Sequence, residues 1–214
     1  MEPGNGAVGE RQTGRLEAFS DGVFAIAITL LVLELKVPHL EAGQISAEAL
    51  WKALAVQWPS YFAYLTSFFT ILVMWVHHHI VFRQVRRADT ALLWVNGFLL
   101  LLVSAVPFPT AIVAEYLNTP AATAASAAYC GVFVLIGVAY LVLLAAAFRE
   151  PLLMRNSSPG TRRRLWRSYW VGPPGYVAAV GTSLFQPYVA MGICTAMYIL
   201  WAATTKECPE EEEA

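Results

Sequence analysis

Apolar residues gather in six runs, at about 18–37, 57–82, 90–113, 121–148, 168–186 and 188–205, and charged residues fall mostly between them. A helix needs about 20 mainly apolar residues to cross the hydrocarbon of a bilayer, so each run reads as a spanning helix, the last two only just. The pattern predicts an all-α polytopic membrane protein with six transmembrane helices. Local signals mark some edges. Thr119 followed by Pro120 gives the fourth helix a capping hydroxyl and a proline suited to its first position. P-F-P-T at 107–110 predicts a kink in the third helix, and Asn96 in the same run is assigned to it, with freed backbone groups met by neighbours. G-P-P-G at 172–175 interrupts the fifth run, and a helix starting at Pro173 is too short to cross. A break is expected there, with residues 162–169 forming an interfacial first turn.

Composition agrees with a membrane chain. The 214 residues are 57% hydrophobic and 14% charged, where soluble domains carry about 25% charged residues. Mean hydropathy is +0.54. The first run is too long for a signal peptide and lacks a small-residue cleavage site, so it reads as a retained anchor. Cys130, Cys194 and Cys208 are scattered, giving neither a disulfide framework nor a zinc spacing, and are expected to be packing residues.

The formal net charge of −1 conceals an asymmetry. With six passes, Arg11, Arg15, Arg83, Arg86, Arg87, Arg149, Arg155, Arg162, Arg163, Arg164, Arg167 and Lys206 fall on one side of the membrane. Lys36 and Lys52 are left on the other. The positive-inside rule then makes both termini cytoplasmic, as in a multi-pass protein of the cell membrane. Topology and anionic headgroups account for the basic loop, so no nucleic acid is expected as partner. Residues 1–14 form a cytoplasmic N-terminal segment, 15–205 the transmembrane domain and 206–214 an acidic, disordered tail.

Ionisable groups at membrane depth are costly and mark candidate sites. Between Asp21 and Glu34 lie about a dozen uncharged residues, ~18 Å of helix, so at least one acid must sit at depth. Arg15 and Phe19 are four apart and share a face, which suits a guanidinium on a ring. Asp21 points elsewhere and needs a partner on another helix. His77, His78 and His79 diverge by about 100° each, against the i,i+3 or i,i+4 spacing of a helical metal pair. One or two of them are expected to turn inward and bond Asp21 or Arg15, with Trp75 as a wall. Ala18, Gly22, Ala25 and Thr29 form a small-residue stripe beside Ile26, Leu30 and Leu33. Such a stripe suits either bundle packing or a pore wall. Glu34 stands at the outer edge, as a snorkelling acid or as the mouth of a path.

R-L-E-A-F-S-D at 15–21 resembles the R-x-x-x-F-S-D signature of the transmembrane protein 175 family of lysosomal and prokaryotic potassium channels. W-V-H-H-H-I-V-F at 75–82, L-L-W-V-N at 92–96 and P-F-P-T at 107–110 also look like their counterparts. The resemblance covers residues 11–115. It implies a potassium-preferring channel, not an enzyme, with no cofactor beyond the permeating ion. It implies a pore lined by the first helix, with Ile26 at the narrowest point, Thr29 in the next layer and aliphatic rings at Leu30 and Leu33. Arg15, Phe19, Ser20 and Asp21 then join Trp75 and either His78 or His79 in a network that holds this helix. Four identical copies in the bilayer are implied. On that reading Asp21 is a brace buried in protein, and the Thr29 hydroxyls can replace some of an ion's lost water or bond back to their own helix at Ala25. Two other readings are a proton-coupled transporter relaying through Asp21 and the histidines, and a membrane metalloenzyme built on His77, His78 and His79.

Overall fold

Helix boundaries follow the capping chemistry of the chain. The computed structural model describes residues 5–43, 45–149 and 159–204, the side chains of 5–12, 159 and 161 excepted. The acidic stretch 206–214, Arg155 and Cys208 lie outside the described residues. Helix α1 (Asn5–Leu30) tightens into a 3-10 turn, Leu31–Glu34. Helix α2 (Ala47–Val56) is capped by Ser46, whose hydroxyl accepts from the Ala49 amide at 3.1 Å. Helix α3 (Trp58–Arg83) carries proline in its first turn. Asp89 caps α4 (Thr90–Ser104), accepting from the Leu92 amide at 2.8 Å. Then follow α5 (Pro107–Tyr116), α6 (Ala122–Ala147), α7 (Pro159–Tyr169), α8 (Gly172–Ser183) and α9 (Pro187–Thr204).

The P-F-P-T kink separates α4 from α5, yet Thr90–Tyr116 still forms one apolar length of 27 residues. Prolines 107 and 109 cannot donate, and the Val106 carbonyl between these elements accepts from both the Thr110 amide (3.2 Å) and the Thr110 hydroxyl (2.8 Å). That hydroxyl has spent its proton, so Ser67 must donate to it (2.7 Å) and Tyr129 to Ser67 (3.0 Å). The resulting chain of hydroxyls ties α3, α5 and α6 together inside the core.

Among the described residues, five helical lengths are long and apolar enough to cross a membrane: Thr13–Glu34, Trp58–Arg83, Thr90–Tyr116, Ala122–Ala147 and Pro187–Thr204. The fifth sequence run is different. Its break falls at residues 170–171, and the 12-residue α8 starts at Gly172 with two prolines in its first turn. Residues 162–169, expected as a single interfacial turn, belong to the separate 11-residue helix α7. The chain nevertheless passes from one end of the bundle to the other through α7 and α8. Arg162 donates to the Phe148 carbonyl at one end, and Tyr188 donates to Asn118 at the other.

Helix α6 is the hub, packed on α8, α4, α5 and α9. Close approach of α8 to α9 needs glycine: a Cβ on Gly172 would lie 2.9 Å from Trp201, and one on Gly175 2.6 Å from the Met197 sulfur. Cys130 and Cys194, expected as packing residues, meet between α6 and α9 with sulfurs 3.3 Å apart. Helix α1 stands at the rim, against α3 and α4.

Candidate functional site: the two faces of the first helix

Helix α1 divides cleanly. Thr13, Leu16, Ser20, Phe24, Ala27 and Leu31 recur at three- and four-residue spacing and are buried against the bundle. The opposite face carries Ala18, Gly22, Ala25, Ile26, Thr29, Leu30 and Leu33, all exposed, with Ile26 at 60% and Leu33 at 69%. Nothing lies within 4 Å of a Cβ built on Gly22. Only 22% of this apolar length is buried, against 50% for α3. In a membrane-spanning chain such a face is open to lipid or to another helix, and the small residues on it allow close helix approach. The Thr29 hydroxyl donates to the carbonyl of Ile26 at 2.9 Å rather than to that of Ala25, and its exposed oxygen can still accept.

The buried face is held by a polar chain. The Ser20 hydroxyl donates to the Leu16 carbonyl at 2.8 Å and accepts from the Asn96 amide at 3.0 Å. Asn96 Oδ1 can only accept, so His78 donates to it through Nε2, at 2.8 Å. The His78 ring is stacked on Phe82, with centroids 4.3 Å apart, and tilted against Phe24. Ser20, His78 and Asn96 are fully enclosed. A satisfied buried network fixes one register between helices, because a slip would strand each of its polar groups.

Asp21 is not part of that chain. Its carboxylate is exposed in the single chain and accepts from the Trp75 indole N–H at 2.8 Å. Of the expected partners, Trp75 meets Asp21 directly, and among the described residues no hydrogen bond joins Asp21 to a histidine or arginine. Trp75 and His78, three residues apart, both face α1, but His78 spends its Nε2–H on Asn96 and packs against Phe24, which leaves the carboxylate to the indole. His79 is exposed. Arg15 and Phe19 are both exposed, and among the described residues the cation–π pair is Arg162 on Phe148 at 5.4 Å, not the pair expected there.

Two features escaped the sequence reading. Asn96, assigned to a kink, is the junction of the network; a lone amide in an otherwise apolar run was the available signal. His77 turns inward too, but away from α1. It donates through Nε2 to the Trp201 carbonyl at 3.1 Å, and its Nδ1 lies 3.2 Å from the Tyr169 hydroxyl. The three histidines thus point to three places, and among the described residues no cluster suited to a metal occurs. At the far end Glu34 is half-buried, and Lys36 pairs with Glu115 at 3.1 Å beside it.

Known proteins share this arrangement in sequence. Residues 15–107 match the family described as the endosomal/lysosomal potassium channel TMEM175. A potassium channel of Chamaesiphon minutus is 44% identical over 194 residues, covering 90% of this chain and 95% of its own length. A potassium channel of Streptomyces collinus is 40% identical over 206 residues, covering 95% of this chain and 98% of its own. The solved lysosomal potassium-selective channel TMEM175 homolog from Chamaesiphon minutus aligns at a TM-score of 0.80 and 43% identity, over 91% of this chain and 98% of that one.

Proposed function

Since the chain belongs to the TMEM175 family, we propose that it is a potassium-selective cation channel whose ion path runs along the exposed face of α1. Four copies surround one axis in the cell membrane. Each crosses six times, with α8 and the last turn of α7 completing the pass between α6 and α9 while the α7 arginines stay at the bilayer surface, and with both termini cytoplasmic. The observation that carries this reading is the split of α1: one face is locked to the bundle and the other, bearing Ile26, Thr29, Leu30 and Leu33, is apolar and uncovered.

Ile26 forms the narrowest ring. An aliphatic collar offers a cation nothing in place of its hydration water, so passage requires that some of that water be shed. Potassium has the lower charge density and gives up water more readily than sodium. The collar thus discriminates, more loosely than a cage of carbonyls does. About one turn further on, Thr29 supports passage. Its proton is engaged by the Ile26 carbonyl, so a ring of four hydroxyls presents oxygen acceptors to an ion that has just lost water. Leu30 and Leu33 continue the wall outward, and Glu34 concentrates cations at the mouth.

Rigidity of α1 is the other requirement, because a collar that splays ceases to select. Ser20, Asn96 and His78 hold the helix from behind, and Trp75 holds it through Asp21. A proton relay from Asp21 to a histidine has no direct bond to run along among the described residues: Asp21 accepts from Trp75 and His78 bonds Asn96. Bi-ionic reversal potentials of the purified protein in a planar bilayer test the proposal. Potassium is expected to be preferred over sodium, and Ile26→Asn to wet the collar and raise sodium permeation. Equal permeability in the wild type would refute potassium selectivity, and unchanged currents in the variant would refute the collar.

A further inference from the structure

Helix α7 seats Leu165 and Tyr169 on the bundle and leaves Arg163, Arg164 and Arg167 exposed. Between α7 and the ends of α3 and α9 lies a cavity of about 550 Å³, open to solvent on one side, lined by Arg163, Arg167, Ser168, Ile80 and Thr204 among others. Arg163 and Arg167 are four apart and share a helix face, where like charges repel. Among the described residues neither forms an ion pair. An anion between them relieves that repulsion.

A second, apolar cleft adjoins the first. It is lined by Val73, Met74, Ile136 and Tyr198 among others, and the two share His77 and Tyr169 as a common wall. The polar atoms of that wall are already engaged: His77 with the Trp201 carbonyl, and the Tyr169 hydroxyl with the His77 ring and carbonyl. Recognition of charge therefore belongs to the α7 rim alone, and the deeper cleft accepts only hydrocarbon.

We propose that the paired cavities bind one anionic phospholipid per subunit, with its phosphate on Arg163 and Arg167 and an acyl chain in the apolar cleft. The guanidinium fork suits phosphate oxygens, and the Ser168 hydroxyl adds a donor. Basic pockets between helices at a membrane surface have this use. Free inorganic phosphate shares the headgroup chemistry but leaves the apolar cleft unused. The inference rests on the reading that the arginine-rich end lies at the bilayer surface.

The test equilibrates the full-length protein with vesicles of phosphatidylcholine and phosphatidylglycerol, then counts retained lipid by native mass spectrometry. The expected result is phosphatidylglycerol retained at about one per subunit and not displaced by inorganic phosphate. The Arg163→Gln/Arg167→Gln variant should weaken retention at least about tenfold, since two charge-assisted contacts are lost. Arg86→Gln/Arg87→Gln, at the same end but outside the cavity, should leave it unchanged. Equal retention of both lipids, displacement by inorganic phosphate, or equal loss in both variants overturns the site. The readout is bound lipid, not current. A channel that conducts without retaining the lipid counts against this site alone, and one that retains it without conducting counts against the channel reading alone.

Discussion

The indole nitrogen of Trp75 on α3 donates to the carboxylate of Asp21 on α1 at 2.8 Å. This contact ties the exposed face of α1 to the bundle, where the other polar ties work from behind. It also explains how a carboxylate stands beside an apolar stretch: the charge has a fixed donor and is not enclosed in hydrocarbon.

Replacing the donor tests that tie. Trp75→Phe keeps the ring and removes the N–H, at a cost of about 1–2 kcal/mol for a bond to a charged group near solvent. The expected outcome is a tetramer that dissociates at lower temperature, read by size-exclusion after heating, with an unaltered potassium-to-sodium ratio. A shifted ratio in an intact tetramer would assign the pair to selection instead of bracing.

Asn96 is expected to be the more damaging position. Asn96→Leu leaves the His78 Nε2–H without its acceptor and the Ser20 hydroxyl without its donor, and each stranded buried group costs about 1–3 kcal/mol. Thermal unfolding should fall by more than for Trp75→Phe. Adding His78→Phe should restore part of the loss, because both ends of the bond are then apolar. Strictly additive losses would show that the two side chains are not coupled.

The α8–α9 contact gives a graded pair. A methyl at Gly172 meets the rigid Trp201 ring at 2.9 Å, while one at Gly175 meets the movable Met197 side chain at 2.6 Å. Overpacking costs about 1–3 kcal/mol when neighbours cannot shift. Gly172→Ala should therefore destabilise more than Gly175→Ala in a thermal melt, although its contact is the longer of the two. The reverse order would mean that the tryptophan yields more easily than the methionine.

The sequence made the helices legible and blurred the contacts between them. Apolar run length placed five of the crossing segments because hydrocarbon thickness sets a length that few other constraints imitate. The fifth run failed that measure: its prolines split it into α7 and the short α8. The faces of α1 were visible as a small-residue stripe, but spacing left packing and pore wall equally open. Partner choice was harder. Three consecutive histidines diverge around the helix, and which of them meets which helix depends on how α1, α4 and α9 are rotated. Run length and periodicity leave that rotation unspecified. Asn96 carried a signal in its isolation, whereas the His77 contacts depend on Trp201, more than a hundred residues away.

The central claim is that the uncovered face of α1 lines the ion path, narrowest at Ile26. Block of an Ile26→Cys channel by silver ions tests it most directly, since silver is close to potassium in size and binds thiolate. The account predicts rapid, lasting block of Ile26→Cys currents, with little effect on wild type or on Leu135→Cys, whose side chain is exposed on α6. Block at Leu135→Cys with none at Ile26→Cys would put the path elsewhere.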